Sequence, residues 1–299
     1  MKKILFTGAC GFLGKNIIPI LRKDYEIDTL GLSSENMFRV NIAKEIPNLK
    51  ESYDIVLHAC GKVYMKKDSE EERQSFFDIN YQGTINLCKA LEKNILPKAF
   101  VFISSVAVYG DEQEGENITE EHPRNGKTPY AKSKILAEDF LIEWCNTHNV
   151  VLTILRPALI VGQNAKGNWG FMLNGIKKGF YCNIGNNEVR KSVVMAEDIA
   201  ILLPKVADKG GIYNVCDSYH PSFHELSACI CRLLGKRKPM SIPIWLAKFI
   251  GKVGDFIGNK APINSYRINK ITITLTFSNE KAKRELSWEP MDVLSNYKI

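Results

Sequence analysis

Short apolar runs alternate with longer amphipathic stretches through the first half of the chain. The runs around 3–7 ("KILFT"), 26–32 ("EIDTLGL"), 53–60 ("YDIVLHAC"), 99–105 ("AFVFISS") and 150–157 ("VVLTILRP") are strand-like and apolar on both faces. Helical periodicity fills intervals between them, as in "KNIIPILRK" after the first run and "ILAEDFLIEW" before the last. Strands apolar on both faces suit a parallel sheet covered by helices on each side, and regular strand–helix alternation predicts an α/β, doubly wound sheet. Beyond about residue 160 the pattern loosens. One more strand-like run, "GIYNVCD" at 211–217, precedes helices and an irregular C-terminus. The expected organisation is a sheet domain over 1–160, with a return of the chain near 190–217, and a smaller lobe drawn mainly from 161–299.

Composition narrows the class. The chain has 299 residues, 45% hydrophobic and 24% charged, enough for a sizeable core. Its formal charge of +7 suits an anionic small substrate, and the basic cluster "LGKRKP" at 234–239 is too short to suggest nucleic acid. Eight cysteines lie scattered without a CxxC pair or a companion His spacing, so no metal site is expected. Reduced thiols and a start straight into a strand point to a cytoplasmic protein. No apolar run approaches the ~20 residues that cross a bilayer. The most lipid-like segment is 242–257, "IPIWLAKFIGKVGDFI". Its pattern is expected to be an amphipathic helix docked on its own protein, with membrane contact the minority reading.

Two segments suggest chemistry. The first run leads into Thr7-Gly8-Ala9-Cys10-Gly11-Phe12-Leu13-Gly14 and then a helical pattern. Glycines here let backbone approach a pyrophosphate, and the helix start offers it unpaired N–H groups. The strand before and the helix after are the setting that this mechanism demands, and the segment is expected to bind a dinucleotide as the loop of a Rossmann domain. The second segment, "PYAKSK" at 129–134, places Tyr130 and Lys134 four apart on one helix face. Alone it is an ordinary helix start.

With its neighbours it is more. "TGACGFLG" at 7–14, "HACG" at 58–61, "NYQGTINL" at 80–87, "FISSVAVYG" at 102–110, "PYAKSK" at 129–134, "LRPALIVG" at 155–162, "YNVCD" at 213–217 and "FSNEKAKRELSWEP" at 277–290 stand in order along nearly the whole chain. In this series the sequence resembles the extended short-chain dehydrogenase/reductases. The resemblance implies a catalytic Ser105, Tyr130 and Lys134: Tyr130 as acid/base, Lys134 on the nicotinamide ribose, Ser105 holding the reacting oxygen. Ser104 is the competitor for that last role. It implies NADP or NAD held by Gly8, Gly11, Phe12, Leu13, Gly14, Ser33, Asn41, Ile42, Ala59, Cys60, Gly61, Asn80, Tyr130, Lys134 and Pro157. It implies a nucleotide-sugar substrate, UDP-linked by expectation, touching Ser105, Asn168 in the "KGN" segment, and Arg190 or Lys191. It also implies a homodimer built on helices near 70–93 and 130–147, motivated by Phe76, Phe77, Ile79, Phe140, Leu141 and Trp144.

Departures from the pattern refine this. The acidic residue that relatives carry about 20 residues past the glycine loop, on the adenosine ribose, is replaced here by Gly31; Asp28 comes too early. Gly31, Ser33 and Ser34 leave room for a 2′-phosphate, with Arg39 or Lys15 as a cation, which tilts the cofactor towards NADP. Asn41 stands where relatives often place Asp against adenine. Val106 and Ala107 replace an acid/base pair that dehydratases need. Reduction of a 4-keto sugar is the leading expectation, 4-epimerisation with tightly held NAD the alternative, and a non-catalytic dinucleotide sensor the remote one.

Overall fold

A computed structural model describes residues 1–65, 68–110, 115–165, 167–186, 188–257 and 264–299. In chain order the strands are β1 (Lys2–Thr7), β2 (Tyr25–Gly31), β3 (Phe38–Arg39), β4 (Ile55–His58), β5 (Ala99–Ile103), β6 (Gly115–Ile118), β7 (Val151–Pro157), β8 (Leu159–Val161), β9 (Asn183–Ile184), β10 (Val193–Met195), β11 (Gly211–Val215), β12 (Ser241–Ile242) and β13 (Leu275–Phe277). The α-helices are α1 (Phe12–Leu21), α2 (Glu70–Phe77), α3 (Gly83–Leu91), α4 (Pro129–His148), α5 (Gly167–Lys178), α6 (Ala196–Ala207), α7 (Phe223–Leu234), α8 (Ile244–Ile257), α9 (Ser265–Thr272), α10 (Glu280–Leu286) and α11 (Val293–Asn296).

Seven strands form one parallel sheet in the order β11-β7-β5-β4-β1-β2-β3. The five expected apolar runs supply β1, β2, β4, β5 and β7, and "GIYNVCD" supplies β11. The two-residue edge strand β3 is too short to show a period in sequence. Strand alternation divides the core. Ile4 and Phe6 of β1 face a layer with Ile17 of α1 and Ile199 and Leu203 of α6. Leu5 faces the other layer, with Leu87 of α3 and Leu141 and Trp144 of α4. A separate cluster around Trp169, Met172, Leu226, Ile230 and Val293 joins α5, α7 and α11.

Two joints in this frame position the site. All sheet strands run the same way, so their C-terminal ends share one edge, and the order reverses between β1 and β4; ligands of such sheets bind at that crevice. Helix α4 begins where the sequence pattern places it: the Thr128 hydroxyl accepts from the Ala131 N–H, Pro129 occupies the first turn, and Asn149 closes the helix in the left-handed region.

Candidate active site

At the β1 end, Gly8 adopts φ +81°, which an L side chain rarely takes, and its carbonyl accepts from Gly11 N–H at 2.9 Å. Gly14 lets α1 lie on the loop: a Cβ there would stand 2.1 Å from the Ala9 carbonyl oxygen. Gly11 is the N-cap of α1 and provides no side-chain cap, so the first N–H groups of the helix stay open to an anion. These features fit a dinucleotide pyrophosphate at Gly11, Phe12 and Leu13.

Beneath the loop runs a buried polar chain that the sequence reading missed. Thr7 Oγ1 lies 2.6 Å from His58 Nδ1 and accepts from the Cys60 N–H at 3.3 Å. His58 Nε2 lies 3.0 Å from Thr84 Oγ1, which donates to the Asn80 carbonyl at 2.7 Å. Burial first, and the Lys134 charge second, push the His58 pKa down to about 3, so its ring is neutral. Asn80 sits in a π-turn, Asp78–Gln82, between α2 and α3. That wider turn directs its amide inward, where it accepts from Lys62 N–H at 2.6 Å and donates to the Lys62 carbonyl and to Ser133 Oγ at 2.9 Å. Ala59, Cys60 and Gly61 are thereby fixed beside Lys134; a Cβ on Gly61 would stand 3.4 Å from its Nζ.

Of the three expected catalytic residues, two meet directly. The Tyr130 phenol faces Ser105, whose Oγ accepts from Ala107 N–H at 3.1 Å and caps the short 3₁₀ turn Val106–Tyr109. Burial pushes the Tyr130 pKa up to about 12; Ser105 pulls it down, and Tyr64 pushes it up. Lys134 turns aside: its ammonium donates to the Ile103 carbonyl at 2.8 Å and lies 4.5 Å from the Phe102 ring centre. Burial lowers the Lys134 pKa to about 8, while Cys60 and Glu138 pull it upward. Ser104 is occupied elsewhere. It donates to the buried Glu138 carboxylate at 2.5 Å, which also receives Arg156 through Nε at 3.0 Å and Nη2 at 2.6 Å. Arg156 Nη1 continues to Tyr109 Oη at 2.8 Å, and Tyr109 donates to Asn214 Oδ1. Ser104 thus belongs to a structural ion-pair network, and Ser105 faces Tyr130.

The adenosine side is built from the β2 end. Gly31 lies against Asn36, whose amide nitrogen would stand 3.1 Å from an added Cβ. Asn36, absent from the sequence reading, is buried, donates to the Ser33 carbonyl at 3.1 Å and accepts from Cys10 Sγ at 3.5 Å. It therefore ties the β2 loop to the glycine loop. Asp28 is committed to Tyr53 at 3.0 Å and Lys3 at 3.3 Å. Ser33 Oγ accepts from Glu35 N–H, and Arg39 and Lys15 are exposed. Asn41 Oδ1 accepts from Ala43 N–H at 3.2 Å, Ile42 is buried against α3, and Pro157 ends β7.

The substrate-side residues are more scattered. Asn168 is exposed at the start of α5, and Lys166 of "KGN" falls outside the described residues. Tyr64, also missed, links this helix to Tyr130: an added Cβ on Gly167 would stand 2.3 Å from its hydroxyl. Arg190 is paired, with Nη1 donating to Glu225 Oε2 at 2.5 Å and to Tyr219 Oη at 2.9 Å. Lys191 Nζ donates to the Lys270 carbonyl at 2.9 Å. Among the described residues no group of three His, Cys, Asp or Glu side chains is placed to hold a metal ion.

Comparison with known proteins places this geometry in context. The model of the "NAD dependent epimerase/dehydratase family" matches residues 4–216. An N-acetyl-α-D-glucosaminyl-diphospho-ditrans,octacis-undecaprenol 4-epimerase of Escherichia coli O157:H7 is 29% identical, over 93% of this chain and 88% of the relative. A UDP-glucose 4-epimerase of Vibrio cholerae is 26% identical, over 98% and 92%. The solved structure of RMD from Pseudomonas aeruginosa complexed with NADPH superposes with a TM-score of 0.73 at 21% identity, covering 98% of this chain and 95% of that one. It shows the shared fold.

Proposed function

The chain belongs to the NAD dependent epimerase/dehydratase family and is an NAD(P)-dependent enzyme, and from that premise we propose that it transfers hydride at C4 of a diphosphate-linked sugar. The observation that carries this is the Ser105–Tyr130 pair beside buried Lys134 at the sheet's switch-point edge. Bound nicotinamide supplies the hydride acceptor or donor. Ser105, held in place by the Ala107 N–H, would hydrogen-bond the reacting sugar oxygen beside Tyr130. Tyr130 takes or returns the proton at Oη. Lys134, anchored at the Ile103 carbonyl, would bond the nicotinamide ribose.

Gly8–Gly14 would hold the dinucleotide pyrophosphate, Asn80 and Gly61 its nicotinamide ribose, and Asn41 and Ile42 its adenine. Gly31 presents no carboxylate to a 2′-phosphate, which favours NADP and a 4-ketoreductase on a nucleotide sugar. The second reading is a 4-epimerase with retained NAD, supported by both curated relatives. Ser105 and Asn168 are assigned to the sugar and its diphosphate. The Glu225 partner reduces the charge that Arg190 can offer, so Lys191 is the better candidate for the nucleotide.

Mass spectrometry of the denatured protein identifies the copurifying nicotinamide, and turnover with a 4-keto nucleotide sugar measures its net use. Stoichiometric NADPH consumption is the expected result. Tightly held NAD with interconversion of two hexoses and no net consumption would establish the epimerase instead.

A further inference from the structure

Helix α8 is built inside out. Its buried face consists of Ala247, Gly251 and Gly254, against which α9 packs so closely that a Cβ on Gly251 would stand 3.1 Å from Ser265 Cα. The bulky apolar side chains point the other way: Trp245 is 70% exposed, Phe249 61% and Phe256 96%, with Val253 on the same side. At 100° per residue these four span less than a quarter turn, and Lys248 and Lys252 border them on one flank. The expected docking on its own protein is therefore met by the small residues and by Ile244, which lies against Gly185, and not by the four large side chains of the outer face. Among the described residues no helix is long and apolar enough to cross a membrane.

We infer that α8 lies on an anionic lipid surface, with Trp245, Phe249, Val253 and Phe256 in the acyl–headgroup boundary and lysines on the headgroups. Charge complementarity selects lipid as the occupant. From Arg237 to Ile257 the chain carries Arg237, Lys238, Lys248 and Lys252 against one acidic residue, Asp255, while the Lys236 ammonium is held by the Ile176 and Lys177 carbonyls. Asp255 accepts from the Ser265 N–H on the α9 side. Exposed aromatic and aliphatic anchors flanked by lysines are the chemistry of an interfacial helix, and a patch this apolar is uncommon on a protein surrounded by water. Placement adds a purpose. Helix α9, on the inner face of α8, accepts the Lys191 ammonium at Lys270, so docking sets the substrate lobe against the bilayer.

Flotation of the full chain with phosphatidylglycerol/phosphatidylcholine vesicles, against pure phosphatidylcholine vesicles, tests this. Wild type should float with the anionic vesicles and much less with the neutral ones. Trp245→Ser/Phe249→Ser/Phe256→Ser and Lys248→Gln/Lys252→Gln should each lower partitioning about tenfold or more. Trp144, Trp169 and Trp288 are buried, so Trp245 dominates the change in emission on docking, and a blue shift with anionic vesicles is expected. Turnover on a water-soluble substrate should be unchanged in both variants, which keeps failure here distinct from failure of the proposed reaction. Wild type that stays with the unbound fraction, with Trp245 emission unmoved, overturns the inference. So does equal binding to neutral vesicles, or light scattering in which the triple substitution breaks an assembly of copies and vesicles bind neither form.

Discussion

Tyr130 cannot act as a base in the state its burial imposes, since a phenol with pKa pushed up to about 12 is protonated at neutral pH. Ser105 already opposes that shift, and the positive charge of an oxidised nicotinamide, once bound, would favour the phenolate further. Tyr130→Phe removes the transferable proton while keeping the ring beside Phe76, 6.4 Å between centres. Turnover should fall ~10²–10⁴-fold with cofactor affinity retained, as single-turnover kinetics and calorimetry would reveal. A near-wild-type rate would remove Tyr130 from the mechanism. Gly31 is the residue proposed for the other end of the cofactor. Gly31→Asp sets a carboxylate beside a 2′-phosphate, a repulsion of about 4 kcal/mol at ~4 Å and an effective dielectric of ~20 before screening. Asn36 must yield by a few tenths of an ångström, which its flexible amide allows. NADPH should weaken more than NADH when both are titrated into the variant; equal losses would mean that Gly31 does not face the phosphate.

The step from β5 to α4 shows how adjacent serines take different work. Ser104 turns to Glu138 and Arg156, Ser105 to Tyr130. Glu138→Gln strips the charge opposite a buried guanidinium, and breaking such a pair typically costs about 3–5 kcal/mol. Denaturant unfolding should show that loss, whereas Ser105→Ala should reduce turnover with little change in midpoint. An unchanged midpoint in Glu138→Gln would contradict the structural role given to the network. These assignments also mark what was legible beforehand. The six apolar runs found their strands because two-sided hydrophobicity is a local property. The turn of the glycine loop and the helix start at "PYAKSK" were readable because their backbone signals are carried within a few residues. Asn36, Tyr64, the Thr7–His58–Thr84 chain and the Arg190–Glu225 pair were not, because each depends on side chains brought together from distant segments. Inside-out α8 escaped for a related reason: periodicity shows that a helix has an apolar face, and only its neighbours show which face is covered.

Across the molecule, two long-range connections are to be tested, one for stability and one for assembly. Asp198 on α6 accepts both oxygens' bonds from the Met291 N–H, clamping the C-terminal segment to the sheet domain. Burial pushes its pKa up to about 7, Met291 and Trp288 oppose the shift, and Asp217 and Glu197 add to it. The folded state then binds a proton that the unfolded chain, with a carboxyl near 3.9, releases. This contribution is full below about pH 4 and is lost as pH rises towards 7, up to about 4 kcal/mol. Asp198→Asn should flatten the stability profile across that window in urea titrations; an unaltered slope would assign the pH dependence elsewhere. The second would lie between copies. The expected dimer face loses part of its motive, because Phe76, Leu141 and Trp144 are buried within the chain. What remains is half-buried Phe77, Ile79 and Phe140, together with exposed Leu136 and Ile142 on α4. Leu136 and Phe140 are four apart and share a helix face, while the ring of Phe140 meets Tyr81 at 6.5 Å, joining α4 to the π-turn that carries Asn80. A homodimer across α4 and the α2–α3 segment would cover this strip and stiffen the turn beneath the cofactor. Light scattering at micromolar concentration should give twice the chain mass. Leu136→Asp/Phe140→Asp should give one chain mass with weaker cofactor binding, and a wild-type monomer would show that this strip is simply tolerated surface.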